Sequence, residues 1–188
     1  MLTLKPVVKC GLASCLFLVF GLTDPTAGMD APQRPLAVRV EEGRVINTRA
    51  PFSFALAEHW DLKEGATAED VTVVHPESES RCSFLLKGGG TDLEIEARAL
   101  QVGALTGGSW SKVSNGWRKI GGHRAGELVA LRTYEGKETL RERSYAVIDR
   151  GQVYLIVCQV PESRRTLLEA DVDRMLETFR WSTRSKKP

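Results

Sequence analysis

The stretch "VYLIVCQV", Val153 to Val160, constrains this chain more than any other. Seven of its eight residues are apolar, and Pro161 follows directly. At a period of two, Tyr154, Ile156, Cys158 and Val160 fall on one face and Val153, Leu155 and Val157 on the other. A strand that is apolar on both faces belongs in mid-sheet, with layers above and below it. The preceding run, "TLRERSYAVID", supplies the other arm of a hairpin that turns at Asp149-Arg150-Gly151.

Other strands read from the same logic. "PFSFAL" alternates Phe52 and Phe54 with smaller residues, and Trp60 follows in a segment that turns back toward the core. "VTVVH" is β-branched and stopped by Pro76; "RCSFLL" ends at Gly88, Gly89 and Gly90. "WRKIGG" and "AGELVALRTYEG" complete the set. "TDLEIEARALQV" carries two patterns at once. Its alternation suits a strand, but Thr91 with Glu94 makes a capping-box spacing and Leu93, Ala97 and Leu100 share a helical face, so a helix is expected. Near the end, Leu168, Val172, Met175, Leu176 and Phe179 recur at spacings of three and four, with Glu169, Asp173, Arg174 and Glu177 on the other side. That is an amphipathic C-terminal helix. The sum is an α+β domain: a mostly antiparallel sheet with helices laid on it.

The N-terminus has a different character. Lys5 and Lys9 precede the uncharged apolar run Cys10–Leu22, and "TAG" before Met29 supplies small residues for cleavage, which together read as a secretory signal over 1–28. Thirteen helical residues rise only about 20 Å, short of a hydrocarbon core of about 30 Å, so no transmembrane anchor is expected. "LASC" resembles a lipobox that would lipidate Cys15, but the greasiest part of the run follows that cysteine, which favours an ordinary signal. Residues 29–44, with two prolines, read as a linker; 45–181 as the domain; 182–188 as a basic tail. The expected location is therefore outside the cytoplasm, periplasmic or extracellular. Without residues 1–28 the chain keeps 24 basic and 23 acidic residues, a balance that gives nucleic acid little to hold.

Four segments resemble the PsbP/DcrB-like domains, whose best-known members are extrinsic photosystem II proteins and a small Ran-binding nuclear-import protein. They are "FSFAL" with Trp60, "IGGHRAGEL", the hairpin "YAVIDRGQVYLIVCQV", and "DVDRMLETFRW", together spanning 52–181. The resemblance implies an α/β/α sandwich around an antiparallel sheet, and a role in binding partners. None of the four is a catalytic motif. The chain departs from the family around 92–110.

Candidate chemistry is sparse. Cys158 lies mid-run in the most apolar strand with no histidine after His123, a poor setting for a nucleophile and a good one for packing. Only Cys82 and Cys158 remain beyond the signal, an even count in an exported chain; whether they bond depends on a Cα separation of about 4.4–6.8 Å that spacing does not supply. His59, His75 and His123 show no metal-ligand spacing and read as scattered surface residues. "KGGGTD" has its lysine ahead of the glycines, unlike a P-loop, and reads as a turn. "GGSWSKVSNGW" reads as a loop whose Trp110 and Trp117 either form a partner surface or cap the core edge. No cofactor or metal site is expected, and no enzyme. The chain reads as an exported binding or accessory protein with a protein partner, or alternatively as a small-ligand or metal carrier with a pocket between sheet and helix.

Overall fold

The computed structural model describes residues 37–50, 52–63, 66–105, 109–133 and 138–182. The expected signal segment with Cys15, residues 29–36 and the tail beyond Ser182 lie outside the described residues. In chain order the elements are β1 (Val38–Glu41), β2 (Arg44–Asn47), β3 (Phe52–Ala55), β4 (Asp61–Leu62), β5 (Asp70–Val74), β6 (Arg81–Gly89) and α1 (Leu93–Leu105). Then come β7 (Ser109–Ile120), β8 (His123–Thr133), β9 (Leu140–Asp149), β10 (Gln152–Pro161), α2 (Arg165–Glu177) and β11 (Arg180–Trp181). Every strand pairing is antiparallel. A four-stranded sheet runs β1-β2-β3-β11 and a seven-stranded sheet β4-β5-β6-β10-β9-β8-β7.

Strand β10 sits at the centre of the larger sheet, where its two apolar faces require it to be. It leaves β9 through Arg150-Gly151, both at positive φ (50° and 74°), the geometry of a tight two-residue hairpin turn. The face bearing Tyr154, Ile156, Cys158 and Val160 is sealed by α2 and by the smaller sheet. Phe52 and Phe54 of β3 reach it together with Phe84 and Phe179, the Phe54 and Phe84 rings stacking at 4.3 Å. Each such fully buried ring contributes about 1.5–3 kcal/mol. Trp60 folds back as its sequence context suggests, 2% exposed, its indole N–H donating to Asp171 at 3.2 Å.

Two observations on this face go beyond packing. Cys158 of β10 is the register partner of Cys82 of β6; their Cα atoms are 4.1 Å apart and their sulfurs are joined. Beneath α2, Asp173 accepts hydrogen bonds from Arg143 (2.8 Å) and Arg118 (3.2 Å), and both guanidiniums lie near the Tyr145 ring. Burial works against the Asp173 carboxylate, but the two arginines outweigh it and hold its pKa below the ordinary value. Burial pushes the Tyr145 hydroxyl up to about 12. Glu169 and Asp173, which the helical wheel turns toward water, are thus tied back to the sheet, Glu169 through Arg141 at 3.0 Å.

Several boundaries differ from those the sequence suggests. Strand β1 and the first residue of β2 lie inside the expected linker 29–44, so the folded domain begins by Val38 and not at Val45. "KGGGTD" is not a turn throughout: β6 continues to Gly89, with Lys87 as an extra residue between the pairs Leu86–Tyr154 and Gly88–Val153. The expected loop "GGSWSKVSNGW" is strand from Ser109 onward; glycine and serine mask a strand that is exposed along its edge. Among the described residues no helix is long and apolar enough to cross a membrane.

Replacing Cys82 and Cys158 together by alanine should cost about 2–5 kcal/mol in urea unfolding, since the bond closes a long loop in the unfolded chain. The parent protein should resist alkylation until reduced. Tyr145 titrates at about 10 when unfolded. Because its folded pKa is higher, its contribution is whole below pH 10 and is lost as pH rises toward 12. Tyr145→Phe should remove that alkaline decline, of order 2–3 kcal/mol, measured as unfolding free energy against pH.

Candidate functional site

The opposite face of the seven-stranded sheet is closed less completely. Helix α1 crosses it over β8 and β9. Asp92 starts the helix, its Oδ1 accepting from the backbone N–H of Glu94 (2.9 Å) and Ile95 (3.3 Å). Asp92 therefore takes the capping position that the Thr91–Glu94 spacing had suggested for Thr91. Ala97 rests on Gly126 of β8, where an added Cβ would lie 2.5 Å from the Ala97 Cβ. Glycine is needed there for the close approach of helix and strand. Glu94 pairs with Arg124 and Glu96 with Lys87, each at 3.2 Å, tying the helix on both sides. The helix is nevertheless only half sunk: Leu93, Ala97 and Leu100 are partly covered and Ile95 is 62% exposed.

Trp110 and Trp117 both stand on this face of β7. They are seven residues apart, an odd number that would put them on opposite faces of a regular strand. The register shifts between Lys112 and Ser114, leaving Val113 as an extra residue, and this bulge restores a common face. Trp110 then faces Arg132 and Trp117 faces Gly126 across the ladder. The Arg132 guanidinium lies 3.9 Å over the Trp110 ring and that of Arg124 lies 3.6 Å over the Trp117 ring. Each stack contributes about 0.5–1 kcal/mol at an exposed site and fixes the plane of the indole. Trp117 stays 40% exposed. Neither ring caps the aromatic core, which lies on the other face.

Between α1 and the sheet a half-open cleft of about 230 Å³ is walled by Glu96, Ala99 and Leu100 of α1 and by Trp110, Leu128, Leu155 and Val157. Glu142 and Ser144 of β9 and Arg132 line it too. The polar part is an assembled network. Arg81 donates to the Gln159 amide oxygen (2.7 Å), Gln159 donates through Nε2 to Glu142, and the Ser144 hydroxyl donates to the other Glu142 oxygen (3.0 Å). Arg132 approaches that carboxylate at 3.9 Å. Glu142, Ser144 and Gln159 are each under a tenth exposed. A buried carboxylate held this way is costly to assemble and rigid once made. Both carboxylates of the cleft are engaged, Glu142 by its donors and Glu96 by Lys87, and no cysteine or histidine is among the described lining residues, which suits recognition better than proton transfer.

A second, larger depression of about 340 Å³ lies at the β9–β10 turn, lined by Arg49, Leu86, Asp149, Arg150, Gln152 and Tyr154. Two of its charges are spent on each other: Arg150 pairs with Asp149 at 3.3 Å, and it also donates to the Ser182 carbonyl at 2.7 Å. The histidines are dispersed. His59 is exposed, His75 is buried edge-on against Trp60 rather than on the surface, and His123 stacks on Trp181. Among the described residues no three His, Cys, Asp or Glu side chains converge to hold a metal ion. Cys158 is 1% exposed and bonded, which leaves no thiolate there to act as a nucleophile.

The cleft network was not among the residues that sequence singles out. Its signal was present: Glu142, Ser144 and Gln159 fall on the strand parity otherwise held by Leu140, Ala146, Leu155 and Val157. Polar residues on an apolar face mark either an uncovered patch or an internal network.

No family model and no curated protein sequence matches the chain. Solved structures do. LpqN of Mycobacterium tuberculosis, involved in cell envelope biogenesis, is 13% identical over 70% of this chain and 83% of its own, with a TM-score of 0.56. The cyanobacterial PsbP of Synechocystis, CyanoP, is 13% identical over 82% of this chain and 98% of its own, at 0.53. The Ran-binding protein Mog1p of Saccharomyces cerevisiae is 10% identical over 73% and 94%, at 0.52. At such identities these likenesses show the fold: the chain has the PsbP-like fold that its quoted segments resemble.

Gly126→Val should keep the sheet intact but lift α1, costing about 1–3 kcal/mol through overpacking. Trp117 fluorescence should shift to the red as the helix leaves its ring; an unchanged spectrum and stability would mean that α1 is not seated through Gly126.

Proposed function

We propose that this protein is an exported, non-catalytic accessory protein of the cell envelope, acting by binding another protein through the face formed by β7, β8 and the α1 cleft. One observation carries the reading. Two tryptophans, each held flat by an arginine, stand on one partly open sheet face beside a small cleft. Exposed tryptophan and arginine are the residue types most enriched where binding energy concentrates. The N-terminal signal pattern supports export. Likeness of fold to an envelope-biogenesis protein and to a Ran-binding protein supports a binding role by analogy. The α/β/α arrangement fits this reading, since α1 and α2 cover opposite faces of the sheet and leave β7 uncovered at its edge.

The cleft between sheet and helix is also what a carrier would use, and its size weighs between the two. At about 230 Å³ it falls below the roughly 300–1,000 Å³ of drug-sized ligand sites. It accommodates one partner side chain better than a free ligand.

A photo-crosslinking residue placed at Trp117 in the native host should trap a discrete protein, and the same residue at Leu167, 75% exposed on α2, should not. Trp110→Ala with Trp117→Ala should weaken the recovered complex on the order of 10–100-fold while costing the fold no more than about 1–2 kcal/mol for the two lost stacks. Native mass spectrometry of the gently purified protein discriminates the alternative: a retained small molecule or metal, with no crosslink, would favour a carrier.

A further inference from the structure

The free edge of β7 supports a more specific statement, which rests on the protein-binding reading above. Among the described residues β7 is the last strand of the large sheet and pairs only with β8, so its outer edge from Ser111 to Ile120 has no ladder partner among them in a strand of twelve residues. That is about twice the usual strand length. Edges of this length invite another strand, and folds commonly blunt them with charge or a bulge. Both devices are present: Lys112, Arg118 and Lys119 lie along β7, and the bulge falls at Val113. Blunting does not account for two other features. Trp117 and Val113 remain 40% and 46% exposed on the same strand. Gly116 is a glycine without an internal reason: it is not in the left-handed region and an added Cβ would meet nothing within 4 Å. Glycine weakens a strand interior, and where the fold itself does not need it, it marks the close approach of another backbone or a ring laid across it.

Charge then decides what pairs there. β7 has three cations and no acidic residue between Ser109 and Ile120. On the cleft face Lys112 and Lys119 stand beside Arg124 and Arg132 of β8, which are already drawn to Glu94 and Glu142. Arg118 is neutralised by Asp173 on the other face, but a second copy pairing β7 to β7 would set Lys112 and Lys119 of each chain along one seam, and like charges facing across strands are unfavourable. We infer that the edge from Ser114 to Ile120 receives an extended acidic segment of a partner protein as an added strand. In this arrangement its carboxylates alternate onto the Lys112–Lys119 face and a bulky residue covers Gly116 on the other.

The test uses the full chain and a synthetic ten-residue peptide alternating glutamate with threonine, with a tyrosine at one central threonine. Three controls accompany it: the lysine-for-glutamate version, and two versions with every second backbone amide methylated, one in each register. The expected result is binding by the glutamate peptide that weakens with salt and is absent for the lysine peptide. Hydrogen exchange of the amides of residues 114–120 should slow at least about tenfold at saturation, and one of the two methylated registers should lose at least about tenfold in affinity. Gly116→Val, which fills open space, should keep or raise the melting temperature and lose the peptide. Equal binding by both methylated peptides would overturn strand addition in favour of charge attraction alone. No binding, alongside a persistent crosslink at Trp117, would sink the edge while leaving the binding-protein reading in place. A concentration-dependent dimer abolished by Gly116→Val would make a second copy the occupant and refute the acidic partner.

Discussion

A strand that is apolar on both faces has to be sealed twice, and the two seals on β10 are of different kinds. One side is dry and over-determined: aromatic rings from β3, β6 and the segment after α2 pack over it, and the Cys82–Cys158 bond fastens it to β6. The other side is sealed by a helix only half sunk, so that Leu155 and Val157 are partly covered and the next position of that parity is Gln159. The smaller sheet and α2 exist to close the first face. What remains on the second face is the space in which the cleft, the tryptophans and the free strand edge occur.

The asymmetry has an energetic logic. On the dry face the charged groups are confined to the margin of α2, where Asp173 between Arg118 and Arg143 fixes the helix to the sheet. On the other face a carboxylate, Glu142, is buried where an apolar residue would have packed more cheaply. Its donors come from two directions, Gln159 on β10 and Ser144 on its own strand, with Gln159 in turn held by Arg81. A carboxylate held by donors on two sides keeps the cleft floor in one arrangement. Rigidity of that kind lowers the ordering cost when something binds.

Much of this is legible in the sequence. The two-sided apolar run put β10 at the centre of its sheet, the Arg150-Gly151 turn set the hairpin, and the spacing of Leu168, Val172, Met175 and Leu176 set the buried stripe of α2. These signals are strong because burial repeats along the element. What escaped was local and depended on a neighbour. The bulge at Val113 is invisible in composition, yet without it Trp110 and Trp117 would lie on opposite faces. β7 reads as loop because its outer edge is solvated, so glycine, serine and lysine stand where a central strand would carry valine. Gly126 looks like any strand glycine until α1 is laid across it. For the cysteines, sequence supplied the even count and the strand setting, but the register that makes Cys82 face Cys158 is a property of the pairing.

Separation of the two faces also bears on how so little sequence is shared with structures of the same fold, 10–13% identity against the three compared. The dry face asks only for volume and hydrophobicity in the right alternation, conditions that many residue sets satisfy. The open face asks for no particular residues at all until a partner is specified. The cleft-facing positions of β7 can therefore exchange one residue type for another without disturbing the rings that hold β10 in place, because those rings are on the other side of the sheet. In such a fold the stabilising residues are found by following apolar parity, and the recognising residues by looking for where that parity is broken without an internal reason. On β7 it is broken by Gly116 on one face and by Lys119 on the other.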